Sequence, residues 1–126
     1  LPANGGNIYV CAWFRFSAGY DNNGNNGTKL FFIRGYPTEN TLNHFVGTQG
    51  MSTRLTMITG LQAPSQGVNY GGTGTESELT GGTWKKIEVL WEANVPGQNN
   101  GRLRHWINGQ LVFSSDAVRF FDAGQT

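Results

Sequence analysis

The 126-residue sequence contains one cysteine and few charged side chains. A lone cysteine excludes an internal disulfide, so the fold must depend on its apolar core. We interpret Cys11 as a small buried apolar residue of a strand and not as a reactive thiol. Nine basic residues against eight acidic ones leave no excess of positive charge for nucleic acid. No apolar run approaches the roughly 20 residues that span a bilayer, and no secretory signal pattern opens the sequence. We therefore expect neither nucleic acid nor a membrane as a partner.

The motifs of several enzyme classes are missing as well. The sequence has no G-x-S-x-G nucleophile, no His/Cys spacing for zinc and no glycine-rich phosphate loop. Asp21, Asn22 and Asn23 offer the clustered oxygens that calcium prefers, but a single carboxylate favours a plain turn. The sequence therefore predicts no metal and no cofactor.

The sequence is rich in glycine, asparagine and strand-like alternation. Its 19 glycines and its runs of asparagine favour many strands joined by tight turns. Apolar and polar residues alternate in Trp84–Ala93 and again in Arg102–Asn108, as half-buried strands require. The proline, glycine and asparagine residues between these runs predict a hairpin.

The side chains of this hairpin predict its register. The favoured register places Ile87, Val89 and Trp91 beside Leu103, His105 and Ile107, and Glu88 and Glu92 beside Arg102 and Arg104. A slip by one residue would move the arginines onto the apolar face and separate the opposite charges. At the next turn, Asn108-Gly109, we favour a three-residue loop over a two-residue type I′ turn. The longer loop places Leu111 and Phe113 beside His105 and Leu103 on the apolar face.

The remaining elements are predicted to complete a single domain over residues 1–126. The predicted strands are Ile8–Phe16, Lys29–Arg34, a hairpin of Asn43–Thr48 with Ser52–Thr59 about Gly50, and Ala117–Phe121. The stretch Gly60–Thr83 lacks periodicity, and a segment of this kind is often a binding loop or a contact with a neighbour. Within this stretch, the sequence allows one short strand near Glu76–Leu79.

Two segments resemble a known superfamily. They are IYVCAWFRFSAGYDNNGNNGTKLFFIRG and WKKIEVLWEANVPGQNNGRLRHWINGQLVF, which together cover about half of the chain. Both are similar to segments of the concanavalin A-like lectin/glucanase superfamily, nearest to its polysaccharide-lyase-like members of the alginate, glucuronan and heparin lyase type. The resemblance implies an all-β fold, an antiparallel β-sandwich with jelly-roll topology. It also implies flanking strands that this sequence lacks, so we expect a truncated sandwich or one that a neighbouring chain completes.

A glycan-binding surface is predicted on the strands of these two segments. Aromatic faces stack on sugar rings, and guanidinium groups hydrogen-bond to hydroxyls. The candidate residues for such a surface are Tyr9, Trp13, Arg15, Arg104 and Trp106. The alternative interpretation is that Trp13 and Trp106 are ordinary sheet packing.

Two functions of different classes follow. The favoured one is a non-catalytic module that binds glycan or decorates a larger assembly such as a virion or surface layer, as a homo-oligomer or with other proteins. The alternative is a small polysaccharide lyase, which needs a cation, a base and an acid around a uronate. Candidate residue types for a lyase are Arg15, Arg34, Arg54 and Arg104 with Tyr9, Tyr20, His44 and Tyr70, but no spacing ties them together. We expect an extracellular or virion-associated location.

Overall fold

The computed structural model describes residues 6–18, 28–34, 41–47, 56–62, 69–71 and 82–121. Within these residues the chain is predominantly β. Its strands are β1 (Asn7–Arg15), β2 (Thr28–Arg34), β3 (Thr41–Gly47), β4 (Thr56–Gln62), β5 (Asn69–Gly71), β6 (Trp84–Glu92), β7 (Gly101–Ile107) and β8 (Gln110–Val118). No helix in the described part of the chain is long and apolar enough to cross a bilayer.

The strands form two antiparallel four-stranded sheets. The first sheet has the order β1-β6-β7-β8 and the second the order β2-β3-β4-β5. The predicted hairpin in the second sheet is confirmed, since Gly47 of β3 pairs with Thr56 of β4. The prediction of an aperiodic stretch from Gly60 is wrong at two places, because β4 continues to Gln62 and β5 pairs with β4. Asp21–Asn23, Gly50 and Glu76–Leu79 lie outside the described residues.

The β6–β7 register of the first sheet is the predicted one. Its apolar pairs are Ile87 with Ile107, Val89 with His105 and Trp91 with Leu103. Glu92 lies opposite Arg102, and their side chains form an ion pair at 3.1 Å. Glu88, however, lies opposite Trp106 rather than beside an arginine, so the second expected cross-strand ion pair does not form.

The β7–β8 turn differs from the prediction of a three-residue loop. Asn108 and Gly109 both have positive φ, at 52° and 81°, as a two-residue type I′ turn requires. Leu111 therefore lies opposite Trp106 and is exposed. A register shift between the Trp106–Leu111 and His105–Phe113 pairs places Phe113 opposite His105, and the two rings lie 5.1 Å apart. An extra residue in β8, rather than a longer turn, returns the apolar side chains to the inner face.

The last strand is longer than predicted. Ala117 and Val118 belong to β8, which runs without a break from Gln110, so Ala117–Phe121 is not a separate strand. After β8 ends, the buried side chain of Asn94 forms hydrogen bonds with the backbone of Phe120 and Phe121. Its Oδ1 accepts from the amides of Phe120 and Phe121 at 2.8 and 2.9 Å, and its Nδ2 donates to the carbonyl of Phe121 at 2.8 Å. This side chain fixes the chain after β8 against the loop after β6.

The core lies on one face of the first sheet, which we call the inner face. Its buried members are Phe16, Ile87, Val89, Trp91, Leu103, His105, Ile107, Val118 and Phe120. Alternate residues of β1, including Ile8, Val10 and Phe14, pack against this cluster. Because the side-chain period of a strand is two, the residues between them lie on the opposite face. Cys11 is one of these residues and is exposed, so the prediction that it is buried is wrong.

Candidate functional site

The candidate site is the opposite face of the first sheet, which we call the outer face. It carries Tyr9, Cys11, Trp13 and Arg15 of β1, Trp84, Lys86, Glu88, Leu90 and Glu92 of β6, and Arg102, Arg104 and Trp106 of β7. The five residues predicted to bind glycan are all among them. Their strands are not neighbours, because β6 lies between β1 and β7.

The pairing arranges the predicted residues in rows across the sheet. One row runs from Tyr9 through Leu90 to Arg104, and the next from Cys11 through Glu88 to Trp106. Neighbouring strands lie about 4.8 Å apart, so residues two strands apart in a row are separated by about 10 Å between Cα atoms. The outer face therefore presents the predicted residues as one continuous surface.

Three aromatic side chains of this surface are open to solvent. Tyr9 is 54% exposed, and Trp13 and Trp84 are both 61% exposed. Trp106 is half-buried, facing Glu88 on one side and Leu111 on the other. Large aromatic groups are normally covered in a folded chain, so the exposed rings gathered on this sheet face make it the candidate site.

A hydrogen-bonded cluster lies between these rings. The Tyr9 hydroxyl donates to Oε1 of Glu88, and Lys86 Nζ lies 3.0 Å from the same oxygen. The bond to the carboxylate raises the pKa of Tyr9 to about 12, and the same carboxylate raises the pKa of Lys86. The phenol bond and then the ammonium bond lower the pKa of Glu88, against the effect of desolvation. At neutral pH, therefore, Tyr9 and Lys86 carry their protons and Glu88 is ionised.

A second cluster lies at the other end of the outer face. Arg104 donates to Asp116 and, through Nη1, to the carbonyl of Ser115 at 2.8 Å. Arg102 lies 3.1 Å from Glu92 and 3.6 Å from Asp116. The Arg104 bond and the nearby arginine charges lower the pKa of Asp116. Arg104 is thus part of an ion-pair network, and its guanidinium already has an acid partner.

The sequence interpretation missed Lys86 and Trp84 as members of this surface. The alternation in β6 placed Lys86 on the correct face, but Glu88 was interpreted as the partner of an arginine. Their proximity to Tyr9 and Trp13 depends on the β1–β6 pairing, which joins Trp13 to Lys86 and Arg15 to Trp84. Residues about 70 positions apart in sequence carry no local signal of such a pairing. Among the described residues, no three His, Cys, Asp or Glu side chains gather as a metal site.

The fold of the chain resembles that of solved alginate lyase structures. A double variant of alginate lyase Aly36B in complex with alginate tetrasaccharide matches with a TM-score of 0.64 and 20% identity, over 95% of this chain and 55% of that one. A second double variant, in complex with alginate trisaccharide, matches with a TM-score of 0.64 and 17% identity, over 95% and 55%. The likeness is one of fold. The chain spans about 55% of the length of these lyases.

This likeness agrees with the predicted similarity of fold to polysaccharide-lyase-like domains. The wider concanavalin A-like superfamily stays a prediction. No protein-family profile matches the sequence, and no curated protein matches it significantly.

Proposed function

We propose that this chain is a β-sandwich module with jelly-roll topology whose outer face binds a uronate-containing polysaccharide. One observation carries the proposal: Tyr9, Trp13 and Trp84 are exposed on one sheet face together with Arg15 and Lys86. Aromatic rings that pack on the apolar faces of sugars, with cations beside them, suit an acidic glycan. The fold likeness to lyases that hold alginate oligosaccharides supports this ligand class.

Replacing Trp13 by alanine is expected to weaken the binding of alginate oligosaccharides about tenfold or more, the magnitude expected for an aromatic anchor. Trp13 is 61% exposed, so its removal leaves the core intact and isolates the contact with the ligand. Isothermal titration calorimetry with the trisaccharide and tetrasaccharide measures the change.

The matched control is Val95→Ala, an exposed apolar residue in the loop after β6. It is expected to bind like the wild type. Equal binding by Trp13→Ala and the wild type would remove the outer face from consideration as the glycan surface.

The second candidate function is β-elimination by a polysaccharide lyase, which the Tyr9–Glu88–Lys86 cluster favours. A lyase neutralises the uronate carboxylate, removes the adjacent proton and protonates the leaving oxygen. The protonated Lys86 suits the first role and the protonated Tyr9 suits the last. Glu88 is the group of the three that could act as the base. It is poorly suited to that role, because hydrogen bonding to Tyr9 lowers its pKa and so weakens it as a proton acceptor. For this reason the binding function comes first.

Tyr9→Phe separates the two functions. In a lyase, the loss of the proton on Tyr9 is expected to lower the rate at least a hundredfold, as the loss of a general acid does, while binding persists. Product is followed by the ultraviolet absorbance of the unsaturated uronate, using alginate and glucuronan. If the wild type forms no unsaturated product from either polymer, the lyase function is abandoned.

The proposed role in a larger assembly depends on the sheet edges. Among the described strands, β1 and β8 are the edges of the first sheet, and neither carries lysine or proline. Register shifts of the kind that blunt an edge occur in the β7–β8 pairing, whereas β1 pairs with β6 without interruption. We therefore propose that β1 is the edge that a second copy or another protein covers. A monomer by light scattering at micromolar concentration would contradict cover by a second copy and leave another protein as the partner.

A further inference from the structure

Arg15 and Trp84 lie directly opposite each other at one end of the outer face. They are the last pair of the β1–β6 ladder, and both side chains are exposed. Trp13 and Lys86 form the adjacent pair on the same face. This end of the face therefore combines two exposed indole rings with two cations.

The cations of the outer face differ in whether they already have an acid partner. Lys86 is paired with Glu88, and Arg102 and Arg104 are paired with Glu92 and Asp116. Within the described part of the chain, Arg15 makes no ion pair. An arginine with an acid partner must exchange that partner for a ligand, whereas Arg15 has no ion-pair partner to exchange among the described residues.

We infer that Arg15 and Trp84 form the subsite that recognises the carboxylate of a uronate ring. The planar guanidinium presents two parallel N–H donors, which match the two oxygens of a carboxylate. The indole of Trp84 faces solvent beside it and offers the apolar surface on which the same ring stacks. This inference rests on the proposed function and deepens it, because it names the residue that selects an acidic glycan over a neutral one.

The test compares Arg15→Ala with Arg102→Ala, two exposed arginines of the outer face. The ligands are alginate trisaccharide and the same trisaccharide with its carboxyl groups reduced to alcohols. Arg15→Ala is expected to bind the acidic ligand about fivefold more weakly, the upper range for an exposed ion pair, and the neutral ligand unchanged. Arg102→Ala is expected to lose less affinity for the acidic ligand than Arg15→Ala, because the Arg102 guanidinium is already paired with Glu92. Trp84→Ala is expected to weaken both ligands alike, because stacking does not depend on the carboxylate.

Salt gives an independent readout. Added sodium chloride is expected to weaken wild-type binding of the acidic ligand and to affect the Arg15→Ala protein less, because screening acts on the exposed charge pair. Equal losses for Arg15→Ala and Arg102→Ala would overturn the inference and leave the proposed function standing. The inference would also be overturned if Arg15→Ala lost the same affinity for the acidic ligand and for the reduced ligand. Failure of the wild type to bind alginate at all would overturn the proposed function and this inference together.

Discussion

Replacing Trp91 by alanine is expected to lower the free energy of unfolding by about 3–5 kcal/mol, the range for large-to-small changes in a core. Trp91 is 2% exposed and lies on the inner face of β6, a central strand of the first sheet. It pairs with Ile8 of β1 on one side and Leu103 of β7 on the other. Its removal therefore leaves a cavity where three strands meet, and their paired backbones limit the collapse that would fill it.

Trp84→Ala provides the matched control for this measurement. Trp84 lies on the same strand but on the outer face, where it is 61% exposed, so its loss is expected to change stability by about 0.5 kcal/mol or less. Urea denaturation followed by circular dichroism compares the two variants with the wild type. Similar losses for both tryptophans would contradict the assignment of the two faces.

The stability of the chain is expected to fall as the pH drops through the range in which histidine titrates. His105 is fully buried in the core, and desolvation lowers its pKa to about 3. In the unfolded chain the same ring takes up a proton near pH 6.5. Between these two values the unfolded state binds more protons than the native state, so stability is fully present above pH 6.5 and is lost as the pH falls. The loss is expected to reach about 2 kcal/mol between pH 7 and pH 5.

His105→Leu removes this titration while keeping an apolar side chain of similar size. The variant is expected to unfold with nearly the same free energy at pH 7 and pH 5. His44→Gln changes the only other histidine of the sequence, so comparing the two variants assigns the pH dependence to one of the two rings. The comparison stays above the range in which carboxyl groups ordinarily titrate, so Glu88 and Asp116 contribute little to it. A pH dependence that survives in His105→Leu would show that another group causes it.

The two ends of the outer face differ in a way that bears on any ligand. At one end Arg102 and Arg104 are neutralised by Glu92 and Asp116, and at the other Arg15 stands beside exposed indole rings. Judged by the described residues, an acidic polymer is expected to be attracted mainly at the Arg15 end. This uneven distribution of charge would orient an acidic polymer on the outer face, whereas a uniformly cationic surface would not.

The sequence alone determined which side chains of β1, β6 and β7 share a face. The alternation in Trp84–Ala93 and Arg102–Asn108 fixed which side chains face the core, because a strand has a period of two and a slip exposes its apolar set. The same argument placed Tyr9, Trp13 and Arg15 together on the other face of β1. These predictions succeeded because each depends on residues that are near one another along the chain.

The tertiary structure decided which strands are neighbours and which charges meet. The β1–β6 pairing brings together Tyr9 and Glu88, which are 79 positions apart, and gives Glu88 a phenol partner instead of the predicted arginine. Asp116 reaches Arg104 only because β8 pairs with β7, and the type I′ turn with its following register shift sets that alignment. The alternation of apolar and polar residues is the same in every strand, so it cannot predict which strands pair. The packing of the whole sheet decides the pairing.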